Sequence, residues 1–492
     1  MSEGDLFEIR RQKLEAFEES GGEAFPRGFD VDAPLDAIAA RFAGHDAEEF
    51  EAKGEKLRLA GRIVSSREHG KTSFANISDG SASIQLYVRK DDLGELIYAA
   101  WQNLDLGDYV GVEGVLMRTR SGELTLRIDS YTMLAKSLRP LPEKWHGLKD
   151  TEIRYRQRYL DLAVNDEVRE VFHRRAQALR ALRAHLDAHG FIEVETPIMQ
   201  PQYGGALARP FTTHHNTLDL DLYLRVAPEL YLKRLLVGGM GRVYELNRNF
   251  RNEGVSTQHN PEFTMLEFYV AYWDYRRMME FVEELLALTV KAVLGAPDFE
   301  YQGNMVSMQR PWKRMKFADA LMEIGGVPYD VLSDEDGFRT WLQEREVPAE
   351  DLNLDYMWDA ALSRFVQPSL ISPTFITHFP RDVSPFSKVT LDDENFVERF
   401  EIYWGGLETG NGYSELNDPR EQRCRMEAMA HGQGKELSEQ RVDEDYILAL
   451  EYGMPPAAGF GVGIDRLMML LTDSRSIRDV ILFPLLKPKK AD

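Results

Sequence analysis

The 492-residue sequence predicts an α+β protein of at least two domains: a small β-barrel, then a larger unit with interspersed helices and strands. Three observations lead there. The chain is longer than one hydrophobic core usually organises. Short alternating segments fill Lys56 to Leu134. Beyond Asp150, helical patterns interrupt strand-like runs without the regular alternation of a βαβ fold.

Composition narrows the class. With 43% hydrophobic and 28% charged residues, and no apolar run near the ~20 residues that span a bilayer, no membrane association is expected. Acidic residues and then Arg10, Arg11 and Lys13 open the chain in place of a secretory signal, so a cytoplasmic location is expected. The single cysteine, Cys424, excludes an internal disulfide and a multi-cysteine zinc site. Net charge, 59 − 81 = −22, argues against broad adhesion to nucleic acid. Residues 55 to 139 differ, with 12 Lys/Arg against 11 Asp/Glu, and so mark a near-neutral module capable of local contacts.

Taken in order, residues 1–54 form an N-terminal helical extension, with Leu6, Leu14 and Phe17 on an amphipathic helix over residues 5 to 19. Residues 55–139 form the barrel. Ile84, Leu86 and Val88 share one strand face there, and Asp79-Gly80 and Ser121-Gly122 supply turns. Pro140 and Pro142 interrupt helix and strand alike, so residues 140–149 read as a linker to a domain spanning 150–492. That domain opens with a helix from about Asp166 to His189, capped by Gly190, and a strand from Phe191 through Pro197. Further helices are expected around 275 to 294 and 357 to 366.

Three patterns imitate binding motifs. Gly70-Lys71-Thr72-Ser73 ends like a phosphate-binding loop, but Ser65 stands where the pattern needs glycine, so it reads as a turn. Gly459, Gly461 and Gly463 lack the strand-turn-helix context of a dinucleotide fingerprint. His214 and His215 point to opposite faces of a strand and have no third ligand at suitable spacing.

From Val243 to Glu253 the odd positions Glu245, Asn247, Asn249, Arg251 and Glu253 form a polar row that a core strand does not bury without partners. A second strand places Phe263, Met265, Glu267 and Tyr269 on one face, so the two are expected to form a hairpin. FRNEGVSTQHNPEF at 250 to 263 resembles motif 2 of the class II aminoacyl-tRNA synthetases. GFIEVETPIM at 190 to 199 resembles motif 1, and GFGVGIDRL at 459 to 467 resembles motif 3. The resemblance covers nearly the whole chain. It is nearest to the bacterial lysyl-tRNA synthetases through GGALARPF at 204 to 211, VAPELYLKR at 226 to 234 and GLETGNGYSEL at 406 to 416.

The resemblance implies an OB-fold anticodon-binding barrel and a catalytic domain on a mixed, mainly antiparallel sheet flanked by helices. It further implies ATP, L-lysine and tRNA(Lys) as substrates, Mg²⁺ as cofactor, and a homodimer through motif 1. Arg251 would hold the α-phosphate and the lysine carboxylate, Arg466 the γ-phosphate, and Phe263 the adenine. Glu253, His259, Asn260 and Glu408 would complete the ATP site. Glu229 would take the α-amino group of lysine, while Tyr269 and Glu415, supported by Glu267, take the ε-amino group. Gly205, Asn411 and Tyr413 would finish that pocket. Carboxylate attack on phosphorus needs fixed cations rather than a general base, because the carboxylate is already ionised.

Glu408 and Glu415 resemble the family's magnesium pair. Seven residues apart, they face opposite ways on a regular strand, so a bulge near Gly410 is expected. Phe74 and Gln85, with Arg67 nearby, resemble the group that grips the central anticodon base, where aromatic stacking on OB-type barrels reads single-stranded bases. Two alternatives are weighed. A relative that lysylates a protein lacks the barrel, and a non-catalytic RNA-binding module would not need to keep Arg251, Glu408, Glu415 and Arg466.

Overall fold

The computed structural model describes residues 3–46, 48–50, 54–142, 148–206, 208–431 and 442–488. The chain divides into two compact units, Met1–Asp166 and Glu167–Asp492. Residues 150–166 therefore group with the first unit, although the sequence starts the second domain at Asp150. Most of the expected linker, residues 143–147, lies outside the described residues.

In the first unit five strands close into a barrel in the order β1-β2-β3-β5-β4: β1 (Lys56–His69), β2 (Thr72–Ser78), β3 (Ser83–Arg89), β4 (Tyr109–Arg118) and β5 (Leu124–Ala135). Period-two alternation explains closure. Leu59, Ile77, Leu86, Val88, Val112 and Leu126 all turn into one core, each burial contributing roughly 1.5–3 kcal/mol, while the intervening side chains stay outside. Gly70 turns β1 into β2 with φ +60°, the tight turn read from the sequence. A helix the alternation did not reveal, Glu95–Gln102, adds Tyr98 and Trp101 to the core. The N-terminal helix, Glu3–Glu19, is tied to the barrel by Lys13 to Asp105 at 2.7 Å and Arg10 Nη1 to the Ser137 carbonyl at 2.9 Å.

The second unit is built on an eight-stranded sheet. Its strands include β6 (Ile192–Glu193), β10 (Arg242–Phe250), β11 (Glu262–Ala271) and β14 (Lys313–Lys316), with β7 (Met199–Gln200), β8 (Phe211–His215) and β9 (Leu220–Leu224) in a separate three-stranded sheet. A two-stranded ribbon comprises β12 (Asp298–Tyr301) and β13 (Asn304–Ser307). The main sheet is completed by β15 (Thr374–Pro380), β16 (Phe396–Trp404), β17 (Leu407–Ser414) and β18 (Ala457–Gly463). Its order is β14-β15-β16-β17-β18-β11-β10-β6, antiparallel except at the two edge pairings, β14 with β15 and β6 with β10. One face packs on helices Asp166–Ala188, Tyr275–Leu294 and Ile464–Leu471 around Phe268, Phe400, Phe460 and Leu467.

Helix Tyr275–Leu294 matches its sequence signals: Asp274 caps it by accepting from the Arg277 N–H, and Gly295 ends it in the left-handed region. The segment expected around 357 to 366 is an α-helix, Leu354–Ala361, that continues as a π-turn over Leu362–Val366. The strand expected from Phe191 through Pro197 is only two residues long. Val194 N–H still reaches the Tyr244 carbonyl at 2.9 Å, and then the chain leaves the sheet edge.

Candidate active site

The hairpin of β10 and β11 forms as expected, with Glu245 opposite Glu267 and Asn249 opposite Phe263. Glu245, Asn247 and Asn249 are buried. The polar group over this face is Arg225, whose Nη1 lies 2.6 Å from Glu245, with Thr196 Oγ1 donating to the same carboxylate at 2.7 Å. The row does not run on as strand to Glu253. Arg251 N–H still pairs with the Pro261 carbonyl, but Asn252 N–H turns to the Arg209 carbonyl, so β10 ends at Phe250 and Arg251 enters a loop.

Arg251 lies on the wall common to two adjoining cavities, of ≈ 160 and ≈ 340 Å³. Its guanidinium stands 5.1 Å from the Phe263 ring, and its Nε is buried without a hydrogen-bond partner. Burial pushes its pKa down, and Glu253, Glu267 and Glu408 oppose that shift. A half-buried guanidinium whose buried Nε has no partner is a site for an anion.

The smaller cavity is lined by Glu253, His259, Asn260, Phe263, Glu408 and Arg466, bringing together every residue expected to bind ATP. Arg466, in the first turn of helix Ile464–Leu471, donates through Nη1 to the Glu408 carbonyl at 2.7 Å and approaches its carboxylate at 3.3 Å. Its Nη2 donates to His259 Nε2 at 3.1 Å, which assigns the imidazole hydrogen to Nδ1, facing Ser256 Oγ. Burial and then Arg466 lower the His259 pKa, so the ring is a neutral acceptor that orients the arginine.

The larger cavity brings together Gly205, Glu229, Glu267, Tyr269, Asn411 and Tyr413. Glu229 accepts from Tyr413 Oη at 2.6 Å and from Lys233 Nζ at 2.6 Å. Lys233 also faces Glu415 at 2.5 Å, making a fully buried carboxylate-ammonium-carboxylate bridge that the sequence did not reveal. Burial works against the Lys233 ammonium, but Glu229 and Glu415 outweigh it and raise the pKa. Burial pushes Glu267 up to about 8, with Glu229 adding to the rise, while Tyr269 Oη donates to it at 3.2 Å. Gly459 forms the floor: a Cβ there would fall 2.2 Å from Glu415 Oε1 and 2.4 Å from Tyr269 Cε1. The glycine row of β18 is thus a bare strand over which charged side chains lie.

The bulge expected near Gly410 exists. Ile402 pairs with Gly410 and Tyr403 with Glu408, leaving Thr409 extra, so Glu408 joins Asn411 and Tyr413 on the cavity side. The second member of the expected magnesium pair, Glu415, follows on the same strand face, with its Oε1 beside Gly459 of the cavity floor. Glu415 lines neither cavity, and Lys233 balances its charge. Glu401 of β16 lines the larger cavity with Glu408, and its pKa is pushed up to about 7 by burial, with Arg399 opposing and Glu408 adding to the rise. A carboxylate whose ionisation burial disfavours, sharing a cavity wall with a second carboxylate, suits a hard divalent cation. The signal was present in the sequence: Arg399, Glu401 and Tyr403 alternate with Phe400, Ile402 and Trp404, which are buried in the core.

On the barrel, Phe74 alternates with the buried Ser73 and Ala75 and so lies outside the core, resolving the choice between core and surface. It stacks on Tyr87 at 4.8 Å and 24°, with Arg67 its cross-strand neighbour. Gln85 sits two pairs along on the same face, opposite Asn76, its Oε1 accepting from Thr125 Oγ1 at 2.9 Å. Tyr87 is the member of this aromatic face that sequence reasoning missed.

A mainly antiparallel sheet, with an arginine at the end of β10 whose unpartnered Nε is buried on the wall of two adjoining cavities, in a chain that also holds a closed five-stranded barrel, narrows the class. A family model described as tRNA synthetases class II (D, K and N) matches residues 150–487, and one described as an OB-fold nucleic acid binding domain matches residues 57–134. The chain belongs to the class II tRNA synthetases of the D, K and N group. Curated proteins named lysine–tRNA ligase are similar to it over nearly their whole length. That of Syntrophomonas wolfei is 48% identical over 491 residues, covering 99% of this chain and 98% of its own. That of Moorella thermoacetica is 49% identical over 491 residues, covering 99% of each, and that of Coxiella burnetii 45% over 491, covering 99% and 98%.

Proposed function

We propose that the chain activates lysine with ATP to lysyl-adenylate and transfers the lysyl group to the 3′ end of tRNA(Lys). The observation that carries this reading is Arg251, half-buried on the wall shared by the two cavities with its Nε buried and unpartnered. A single guanidinium there reaches both reacting anions. The lysine carboxylate attacks the α-phosphorus, its oxygen forms the new bond, and pyrophosphate leaves. Arg251 offsets the repulsion between the anions and the charge of the transition state, and Arg466 holds the distal phosphate. Phe263 offers its face to adenine. In the second step a terminal ribose hydroxyl attacks the adenylate carbonyl and AMP leaves.

Carboxylates in the larger cavity favour lysine: Glu229 and Glu267 line it and face the two ammonium groups, Lys233 answers Glu415, and Arg251 takes the carboxylate. An aspartate side chain would meet repulsion at the same end. Glu229 takes the α-amino group, Tyr269 and Glu267 meet the ε-amino group with Glu415 behind them at Gly459, and Gly205, Asn411 and Tyr413 complete the wall. Glu408 and Glu401 are the residues that fit Mg²⁺, which when bound supplies positive charge to the phosphates. Phe74, Tyr87, Gln85 and Arg67 form the anticodon-reading face.

Exposed Ile192, Ile198 and Met199 in the motif 1 segment support a homodimer, to be checked by sedimentation. A cytoplasmic setting follows from the substrates, and among the described residues no helix is long and apolar enough to cross a membrane. The deciding experiment is charging of purified tRNA with lysine, beside aspartate, asparagine and a protein acceptor. Lysylation of tRNA alone is expected. Charging with aspartate or asparagine, or labelling of the protein, overturns the reading.

A further inference from the structure

The C-terminal end of helix Asp166–Ala188 holds a group that the aminoacylation chemistry does not use. His185 and His189 stand one turn apart on the same helix face, ring centroids 4.3 Å apart, and both pack on Phe281 of helix Tyr275–Leu294. Glu284 of that second helix faces them, and one ligand atom from each of the three residues lies within 4.8 Å of the other two. All three are half-buried.

Hydrogen bonding leaves the ring nitrogens ready to bind. His189 Nδ1 lies 2.8 Å from the His185 carbonyl, which only accepts, so Nδ1 carries the hydrogen and Nε2 presents its lone pair. A histidine fixed through one nitrogen to a backbone carbonyl is the usual arrangement of a metal ligand, since the contact sets both tautomer and ring orientation. His185 Nε2 is buried and has no hydrogen-bond partner. Aromatic packing on Phe281 explains the ring planes but leaves that nitrogen unsatisfied, and a bound ion would satisfy it.

We propose that His185, His189 and Glu284 form a binding site for a borderline divalent transition metal, Zn²⁺ being the chosen ion, separate from the magnesium carboxylates. Two imidazoles at i and i+4 with one carboxylate are a common zinc donor set, and Zn–N and Zn–O distances of about 2.0–2.2 Å require the three groups to draw together by roughly 1–1.5 Å, a rotamer adjustment. The remaining coordination position is left for water. Two nitrogens in the donor set disfavour Mg²⁺ and Ca²⁺, which take oxygen. Bound metal would clamp the two helices together immediately before Gly190 and β6. Arg310 competes for the carboxylate, with Nη1 3.9 Å from Glu284.

The test is equilibrium binding of Zn²⁺ to the chelator-treated full chain in excess Mg²⁺, with Co²⁺ as spectroscopic probe. One equivalent of zinc is expected, with a rise in Tm and an intense visible Co²⁺ band typical of low coordination number. His189→Gln and Glu284→Gln should each weaken that equivalent at least about tenfold and abolish the band. Arg310→Ala, which removes the competitor, should tighten it. Glu284→Gln is nearly isosteric and guards against misfolding as the cause of loss. Absence of a zinc equivalent, or zinc binding and a cobalt spectrum unchanged in both ligand variants, would overturn the proposal.

Discussion

Replacing Gly205 by alanine is expected to impair lysine recognition while sparing ATP. Gly205 has φ +85°, and a Cβ there would lie 2.9 Å from the Glu229 Cβ and 3.3 Å from the Ala227 Cβ. Glu229 cannot yield easily, because Lys233 and Tyr413 each hold its carboxylate at 2.6 Å. Left-handed backbone costs an L-residue about 1–2 kcal/mol, and overpacking against a pinned neighbour about 1–3 kcal/mol. Relief comes from moving Glu229 off its position or tilting the Gly204-Gly205 turn into the pocket, and either change spends the strain on lysine binding. At 1.36 kcal/mol per factor of ten, about 2–5 kcal/mol corresponds to roughly 30-fold to a few thousand-fold in lysine KM. The assay is lysine-dependent ATP-pyrophosphate exchange, with the KM for ATP as internal control and circular dichroism to confirm folding. A folded variant whose lysine KM stays within about threefold of the parent would refute the reasoning.

Phe74→Ala or Tyr87→Ala should lower tRNA charging roughly 5- to 150-fold, the loss of one stacking contact of about 1–3 kcal/mol, with exchange unchanged; an equal loss in both assays would remove the anticodon role. Arg251→Gln should cut kcat for exchange by about 10²–10³, the scale for losing one preorganised donor to a developing charge, and a fall in lysine binding alone would restrict Arg251 to substrate capture. Glu401→Gln should raise the Mg²⁺ concentration needed for half-maximal exchange, whereas Glu415→Gln should raise the lysine KM; the reverse pattern would assign Glu415 to the metal. Glu267 of the lysine pocket and Glu415 behind it are each pushed up to about 8, chiefly by burial. Below that pH they hold protons that an incoming ammonium must expel, so lysine affinity should rise with pH toward about 8 and binding should release protons. Calorimetry in buffers of different ionisation enthalpy reads that release, which Glu267→Gln should diminish, and no buffer dependence in the parent would contradict it.

Elements whose signals are local were legible before any tertiary contact. Period-two alternation laid out the barrel strands and the β10–β11 hairpin, because side chains on a strand alternate whatever the strand packs against. Caps bounded helix Tyr275–Leu294 for the same reason, since Asp274 and Gly295 act within one turn. Seven-residue spacing even required the bulge that the structure puts at Thr409. Tertiary structure alone decided the pairings of charge. That Lys233 holds Glu229 and Glu415, that Arg225 rather than substrate covers Glu245, and that Glu401 shares a wall with Glu408 all depend on which strands and helices become neighbours. Such contacts join residues far apart in the chain, 184 positions in the case of Glu229 and Tyr413. A carboxylate in the sequence carries the same charge wherever it lies. Only its burial and the cation beside it decide whether it holds a metal, a substrate ammonium or a lysine of its own chain.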